Sequence, residues 1–316
     1  MPFLGELAAL SAALIWAIAA LIYVGVGQTI SPLILNFTKG WIALILLGVT
    51  LGIGHRLGQP FAELPTAPLQ AWILLGLSGA LGIGMGDTAY FQALNRIGSR
   101  QTLLIETLAP AIAAFLAVTF LGEQLSLRSW LGLGLILAGI TGVILERTTQ
   151  TSTTQTSTTP PADRAGLSDP PHPWQGVLYA TIAAVCQAGG AVMSRTALVS
   201  STMDPLWSTV ARLSGGMIIM IVWLGIQQNL TTVKKPLQTR QILGTIAITA
   251  LFSTYLGILL QQISLKYAAA GIAQALSSTS PIFILPLAAL AGDRVTIRAI
   301  LGAIVAIIGV GILFQP

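Results

Sequence analysis

Four charged residues lie inside long apolar runs: Lys39, Asp87, Glu106 and Arg212. An ionised side chain in hydrocarbon is costly, so such residues face a bundle interior or a cavity and mark substrate or proton chemistry by default. Lys39 falls about 12 Å into its run, counting 1.5 Å per helical residue. Asp87 and Glu106 flank a short polar hairpin at a similar depth, so one cation and two carboxylates are expected to cluster on one side of the membrane. A single lysine balances one carboxylate and leaves the other, Glu106 or Asp87, free to carry a proton and act as a coupling group; the plain alternative is a static salt bridge. No acid within the eighth or ninth run is available to Arg212 before Asp293, at the far end. A guanidinium in that position can grip a carboxylate or phosphate through two parallel hydrogen bonds. The alternative is a side chain that ties backbone carbonyls and hydroxyls together, or snorkels towards Asp204.

Aromatic and amide residues fall in the same kind of run: Trp16, Tyr90, Gln92, Gln187, Tyr255, Gln261 and Gln262. An amide in hydrocarbon needs a partner or water, which turns it towards the bundle. Trp16, Tyr90, Gln187, Tyr255 and Gln261, with Arg212 and Lys39, are the expected lining of a substrate cavity; interhelical contact is the competing role for each. His55 and His172 stand in loops without metal-ligand spacing, and no P-loop or nucleophile with a buried base is present. Neither catalysis, a metal, a cofactor nor nucleotide-driven pumping is expected.

The elements that must position these residues follow from composition. Hydrophobic residues make up 54% of the 316 and charged residues 8%, where a soluble domain carries roughly 25% charge. The fold class is therefore an all-α integral membrane protein whose first partner is the lipid bilayer. The net charge of +5 comes from scattered loop residues with no basic run, which gives no support to nucleic-acid binding. The single cysteine, Cys186, rules out a disulfide within the chain. The first run starts almost at the N-terminus without a basic leader, so it reads as a retained helix.

Ten runs approach the roughly 20 apolar residues a span needs: near 3–24, 32–52, 70–93, 101–121, 129–146, 174–198, 205–226, 240–264, 271–291 and 296–314. Thr148–Pro173 is rich in Thr, Ser, Gln and Pro, with little to bury, and reads as a disordered linker. The chain thus divides into residues 1–147, a linker 148–173 and residues 174–316.

The two parts repeat one another. Leu94 and Pro110 recur as Leu265 and Pro281 at an offset of 171, as do Gly5 and Ala13 at Gly176 and Ala184. Gly122, Gly132 and Gly139 are mirrored by Gly292, Gly302 and Gly309, and Pro32 and Lys39 by Pro205 and Arg212. A unit with an odd number of spans reverses across the membrane, so two five-helix repeats are inverted copies with a binding site at their interface. Asp87 and Glu106 are matched by Ile258 and Ser277, so the acids belong to one repeat alone. Pro110 and Pro281 are expected to kink their helices and to serve as hinges, with Pro286 as a further kink. Gly48/Gly52 and Gly82/Gly86 have the spacing of close helix contacts.

The doubled five-helix unit, the Gly-Glu or Gly-Asp step at Gly122-Glu123 and Gly292-Asp293, and the hairpins at Ala93-Leu94-Asn95 and Ser264-Leu265-Lys266 resemble the EamA-type branch of the drug/metabolite transporter superfamily. The resemblance covers nearly the whole chain outside the linker. It implies a ten-helix secondary transporter, monomer or homodimer, in a prokaryotic plasma (inner) membrane. The family exports or exchanges small metabolites, often amino acids; with the inverted repeats and the buried acids, the expected function here is export or exchange of a small polar metabolite, amino acids first, by alternating access, with protons as a candidate co-substrate. A channel-like facilitator and a non-transporting intramembrane partner are the alternatives. The chain departs from the pattern at Gln187, the counterpart of Trp16. Loop Lys and Arg residues favour a cytoplasmic linker face by the positive-inside rule, while the resemblance implies cytoplasmic termini.

Overall fold

Among the described residues, 3–26, 32–154, 173–226, 240–290 and 296–314, the computed structural model has helices and no strand. The first repeat holds α1 (Leu4–Val26), α2 (Pro32–Arg56), α3 (Leu69–Gly79), α4 (Asp87–Glu106), α5 (Leu108–Leu116) and α6 (Leu127–Thr154). The second holds α7 (Pro173–Val199), α8 (Pro205–Ile226), α9 (Arg240–Thr249), α10 (Gly257–Tyr267), α11 (Ala270–Ser277), α12 (Ser280–Leu290) and α13 (Ile297–Leu313). These pieces form ten apolar helical stretches, eight of them long enough to span, with Leu4–Ala19 and Ile297–Leu313 shorter. Their outward faces carry bare apolar side chains, such as Ile45, Val49 and Ile53 on α2 and Ile300, Ile304 and Ile307 on α13, as a lipid solvent requires.

Several boundaries differ from the sequence expectation. Helix α6 continues to Thr154, so the first residues of the segment 148–173 are helical; the remainder, 155–172, lies outside the described residues, as does Asp293. The hairpin expected at Asn95–Arg100 falls inside α4, where the backbone stays locally helical. A straight helix of that length would hold its ends about 30 Å apart, yet Asp87 and Glu106, the two ends of α4, are electrostatic neighbours. The chain therefore doubles back within α4, and the two runs stay antiparallel.

The expected proline kinks are displaced. The helical path breaks at Thr107, three residues before Pro110, and at Ser278–Thr279, just before Pro281. A proline supplies no N–H to the carbonyl four residues earlier and its ring crowds that carbonyl. Those carbonyls belong to Glu106 and Ser277, so each helix ends there and restarts with proline in its first turn. Pro286 does sit inside a helix, α12.

Packing follows the inverted symmetry. Helix α1 lies against α10 of the other repeat and α7 against α4. Gly5 meets the backbone of Ala268, and Gly176 meets Ile97 at the equivalent place. Helices α6 and α13 pack along paired glycines: a Cβ on Gly139 would lie 2.5 Å from Gly302 O, and one on Gly132 would lie 3.0 Å from Gly309 O. Gly48 and Gly52, by contrast, form no close contact: a Cβ added to either would have nothing within 4 Å.

One π turn interrupts the third helix of each repeat, at Ala80–Gly86 in the first and Ala250–Leu256 in the second. Such turns displace the regular hydrogen-bond ladder and gather at functional sites. They sit at equivalent positions, and each is held by the first helix of the other repeat. Trp16 Nε1 donates to Ser253 O at 2.8 Å. Gln187 Nε2 donates to Gly82 O at 3.5 Å. Residues 16 and 187, and 82 and 253, are both 171 apart, so the tryptophan and the glutamine that breaks the pattern perform one contact.

Candidate functional site: a charged cluster between the repeats

The first π turn ends where a group of polar side chains from both repeats converges. Asp87 begins α4 directly after the turn. It accepts from Gln187 Nε2 at 2.9 Å and from the Asn36 amide. Its cationic neighbours are Lys39 on α2 and Arg212 on α8. Tyr90, one helical turn further on, has both Glu106 and Asp87 as charged neighbours. The acid that faces Arg212 thus comes from the opposite repeat, which is why a search within its own half leaves the arginine without a partner.

Arg212 is 2% exposed. One nitrogen, Nη1, donates to Gln261 Oε1 at 3.3 Å and to Gln262 Oε1 at 3.1 Å. Gln262 in turn donates to Ser208 Oγ at 3.1 Å, so the second amide of the pair fixes the guanidinium to its own helix. Gly82 leaves room for this arrangement: a Cβ there would stand 3.0 Å from Arg212 Nη2 and 3.6 Å from Gln187 Oε1. The backbone of Gly79 meets Arg212 O with no space for a side chain, which seats α8 directly on α3.

Two atoms of the cluster are buried without a hydrogen-bond partner: Arg212 Nε and Glu106 Oε1. One is a donor on a cation and the other an acceptor on a carboxyl group. Ser277 Oγ, at the position equivalent to Glu106, is also buried and unpartnered. Buried polar groups are rarely left unsatisfied, and each such atom costs about 1–3 kcal/mol. The chemical need here is for a guest that accepts at one point and donates at another.

Of the residues expected to line a cavity, Lys39, Tyr90, Gln187, Arg212 and Gln261 come together with Asp87 and Glu106. Trp16 and Tyr255 do not join them. They sit at the second π turn, where Trp16 spends its one N–H on Ser253 O and Tyr255 Oη shares a hydrogen bond with Thr50 Oγ1 at 2.9 Å. Asn36, Gln262 and Ser208 were not among the expected residues. Gln262 stood out only as a polar residue in an apolar run; Asn36 lies three positions before Lys39, on the same helical face.

A second polar group ties the repeats at the face that bears the termini. Arg195 Nε donates to Glu123 Oε1 at 2.7 Å, with the two side chains 15% and 14% exposed. Arg195 Nη1 also donates to the carbonyls of Leu265 and Lys266, and Glu123 Oε2 accepts from Ala270 N at 3.0 Å. The pair therefore caps both the end of α10 and the start of α11. Val24 occupies the position equivalent to Arg195.

Comparison with known proteins agrees with this architecture. The model of the EamA-like transporter family matches twice, over residues 3–145 and 174–315. A relative from Sinorhizobium sp, described as an uncharacterized transporter in the cobO 3' region, is 34% identical over 132 residues, 42% of this chain and 89% of its own length. A solved crystal structure shares the fold with a TM-score of 0.73 over 99% of this chain and 97% of its own, at 17% identity.

Proposed function

Since the chain belongs to the EamA-like transporter family, matching it in both repeats, we propose that this multi-pass membrane transporter moves small polar metabolites, amino acids first among them, by alternating access around the cluster between its repeats. The observation that carries the reading is the pair of unpartnered buried atoms, Arg212 Nε and Glu106 Oε1. A zwitterion presents a carboxylate to the first and an ammonium group to the second. The Lys39 and Asp87 charges balance each other nearby, which leaves Arg212 and Glu106 for the guest. A carboxyl group facing another carboxylate, as Glu106 faces Asp87, is the group through which a proton could accompany the substrate.

In this reading Gln261 and Gln187 are supports of the site rather than substrate ligands, because their amides are already engaged with Arg212 and Asp87. The breaks before Pro110 and Pro281 let the fourth helix of each repeat swing as two pieces. The Glu123–Arg195 pair keeps the terminus face closed, and the opposite face closes by other means, because Val24 offers no counterpart to Arg195. Inverted repeats permit two such states of nearly equal energy.

The test is flux in proteoliposomes loaded with labelled amino acids and small organic anions, with and without an imposed pH gradient. Wild type should release amino acids, Arg212→Ala should abolish release, and only wild type should respond to the gradient when compared with Glu106→Gln. Amino-acid flux that ignores both substitutions would remove Arg212 and Glu106 from the mechanism. Flux with no response to the gradient in wild type would favour a facilitator.

A further inference from the structure

The first π turn carries amide contacts gathered around a carboxylate. Asn36 on α2 donates through Nδ2 to Ile83 O at 3.5 Å and also hydrogen-bonds the Asp87 carboxylate. Gln187 on α7 donates to Gly82 O at 3.5 Å and to Asp87 Oδ1 at 2.9 Å. Two amides, one from each repeat, thus bridge one carboxylate to adjacent carbonyls of one π turn.

The second repeat shows what such a turn needs when no carboxylate is present. Ile258 stands where Asp87 would be. Trp16, with a single N–H, donates to Ser253 O there. Thr209, the counterpart of Asn36 at the offset of 173 that relates Lys39 to Arg212, turns its hydroxyl back to Pro205 O at 2.7 Å in its own helix. A primary amide has two N–H donors and an indole has one. At these matched positions the amides, with their extra donors, stand beside the carboxylate.

We propose that Asn36 and Gln187 are positioning residues that pin the Asp87 carboxylate to the π turn at Gly82–Ile83, one from each repeat, so that loss of the Asp87 charge frees α3 from both. The other groups facing Asp87 are Lys39 on α2, Arg212 on α8, and Tyr90 and Glu106 on α4. The two amides bond the carboxylate and the turn's carbonyls at once, which makes them a direct route by which a change at Asp87 reaches the backbone. This rests on the transport reading for its purpose, but its test does not.

Cys186 is the single cysteine and is buried against this region, with a Cβ on Gly86 falling 3.3 Å from its own Cβ. Its alkylation by N-ethylmaleimide in the full-length protein reports loosening of the turn without any substrate. Asn36→Leu should raise the alkylation rate roughly fivefold, the effect of one lost hydrogen bond on the open population, and Asp87→Asn, which releases both amides, should raise it further. The double variant should label no faster than Asp87→Asn alone. Gln187→Trp, which keeps one donor for Gly82 O, should label as fast as Gln187→Leu.

Rates that multiply in the double variant, or wild-type labelling in Asn36→Leu, would overturn the proposal. If Asn36→Leu fails to fold, as judged by its melting temperature in detergent, Asn36→Ser takes its place in the cycle. Flux is measured in the same preparations. Loss of the labelling cycle with normal flux counts against the amides alone; an intact cycle without flux counts against transport alone.

Discussion

Arg212→Lys isolates the geometry of the guanidinium from its charge. Lysine keeps the cation and loses the planar fork. In the protein Nη1 is committed to Gln261 and Gln262, and Nε points to no partner. A bound carboxylate would therefore rely on Nε and a neighbouring nitrogen, and lysine can replace at most one of those bonds. A hydrogen bond to a charged group contributes about 1.5–3 kcal/mol. Losing one should raise KM by roughly ten- to a hundredfold, since about 1.4 kcal/mol is a factor of ten. The substitution also removes a donor from Gln261 and Gln262 inside the bundle, so stability has to be followed alongside. Transport kinetics in proteoliposomes would be measured for the fastest amino acid, together with the melting temperature of the purified protein. A KM within about twofold of wild type, in a protein that melts normally, would refute the anchoring role and leave Arg212 as a strut between α8 and α10.

Three other outcomes follow from the packing. Glu123→Arg and Arg195→Glu should each reduce flux, and the double exchange should recover more of it than either single variant; equal losses in all three would remove the pair from the transport cycle. Gly139→Val should prevent stable folding, because its Cβ would meet Gly302 O and Ala306 N at 2.5 Å, while Gly48→Ala, with open space around it, should leave the melting temperature unchanged. Pro110→Ala restores an N–H opposite the carbonyl of Glu106 and should let the helix run through Thr107; turnover should fall while expression and melting hold, and an unchanged turnover would show that the break is not a working joint.

Much of the fold was legible because the signals are periodic and duplicated. The ten runs, the paired prolines and the paired glycines all repeat at nearly constant offsets, and lipid demands long apolar helices whatever the tertiary contacts. The charged residues of the site were legible for the same reason, since Lys39, Asp87, Glu106 and Arg212 stand out against hydrocarbon. What could not be read was who faces whom. The acid that faces Arg212 is neither Asp204 nor Asp293 of its own half but Asp87, across the repeat interface. Gln187 looked like a departure from Trp16 because the shared contact is with a backbone carbonyl, and carbonyls leave no mark in a sequence. The π turns were equally silent, being built from glycines in one repeat and from Ser253, Thr254 and Tyr255 in the other.

The exchange of first helices has a consequence for how the protein is made. Trp16 finds its acceptor 237 residues later in the chain. At synthesis rates of about 5–20 residues per second, α1 waits roughly ten to fifty seconds before Ser253 exists. For the first part of that interval Gln187 is also still to come, and the π turn of the first repeat has Asn36 but not yet its contact from the second repeat. Each half thus lacks, on its own, the first-helix contact that the other supplies. The two halves expressed as separate chains should each be degraded alone and should accumulate only together, each completing the other.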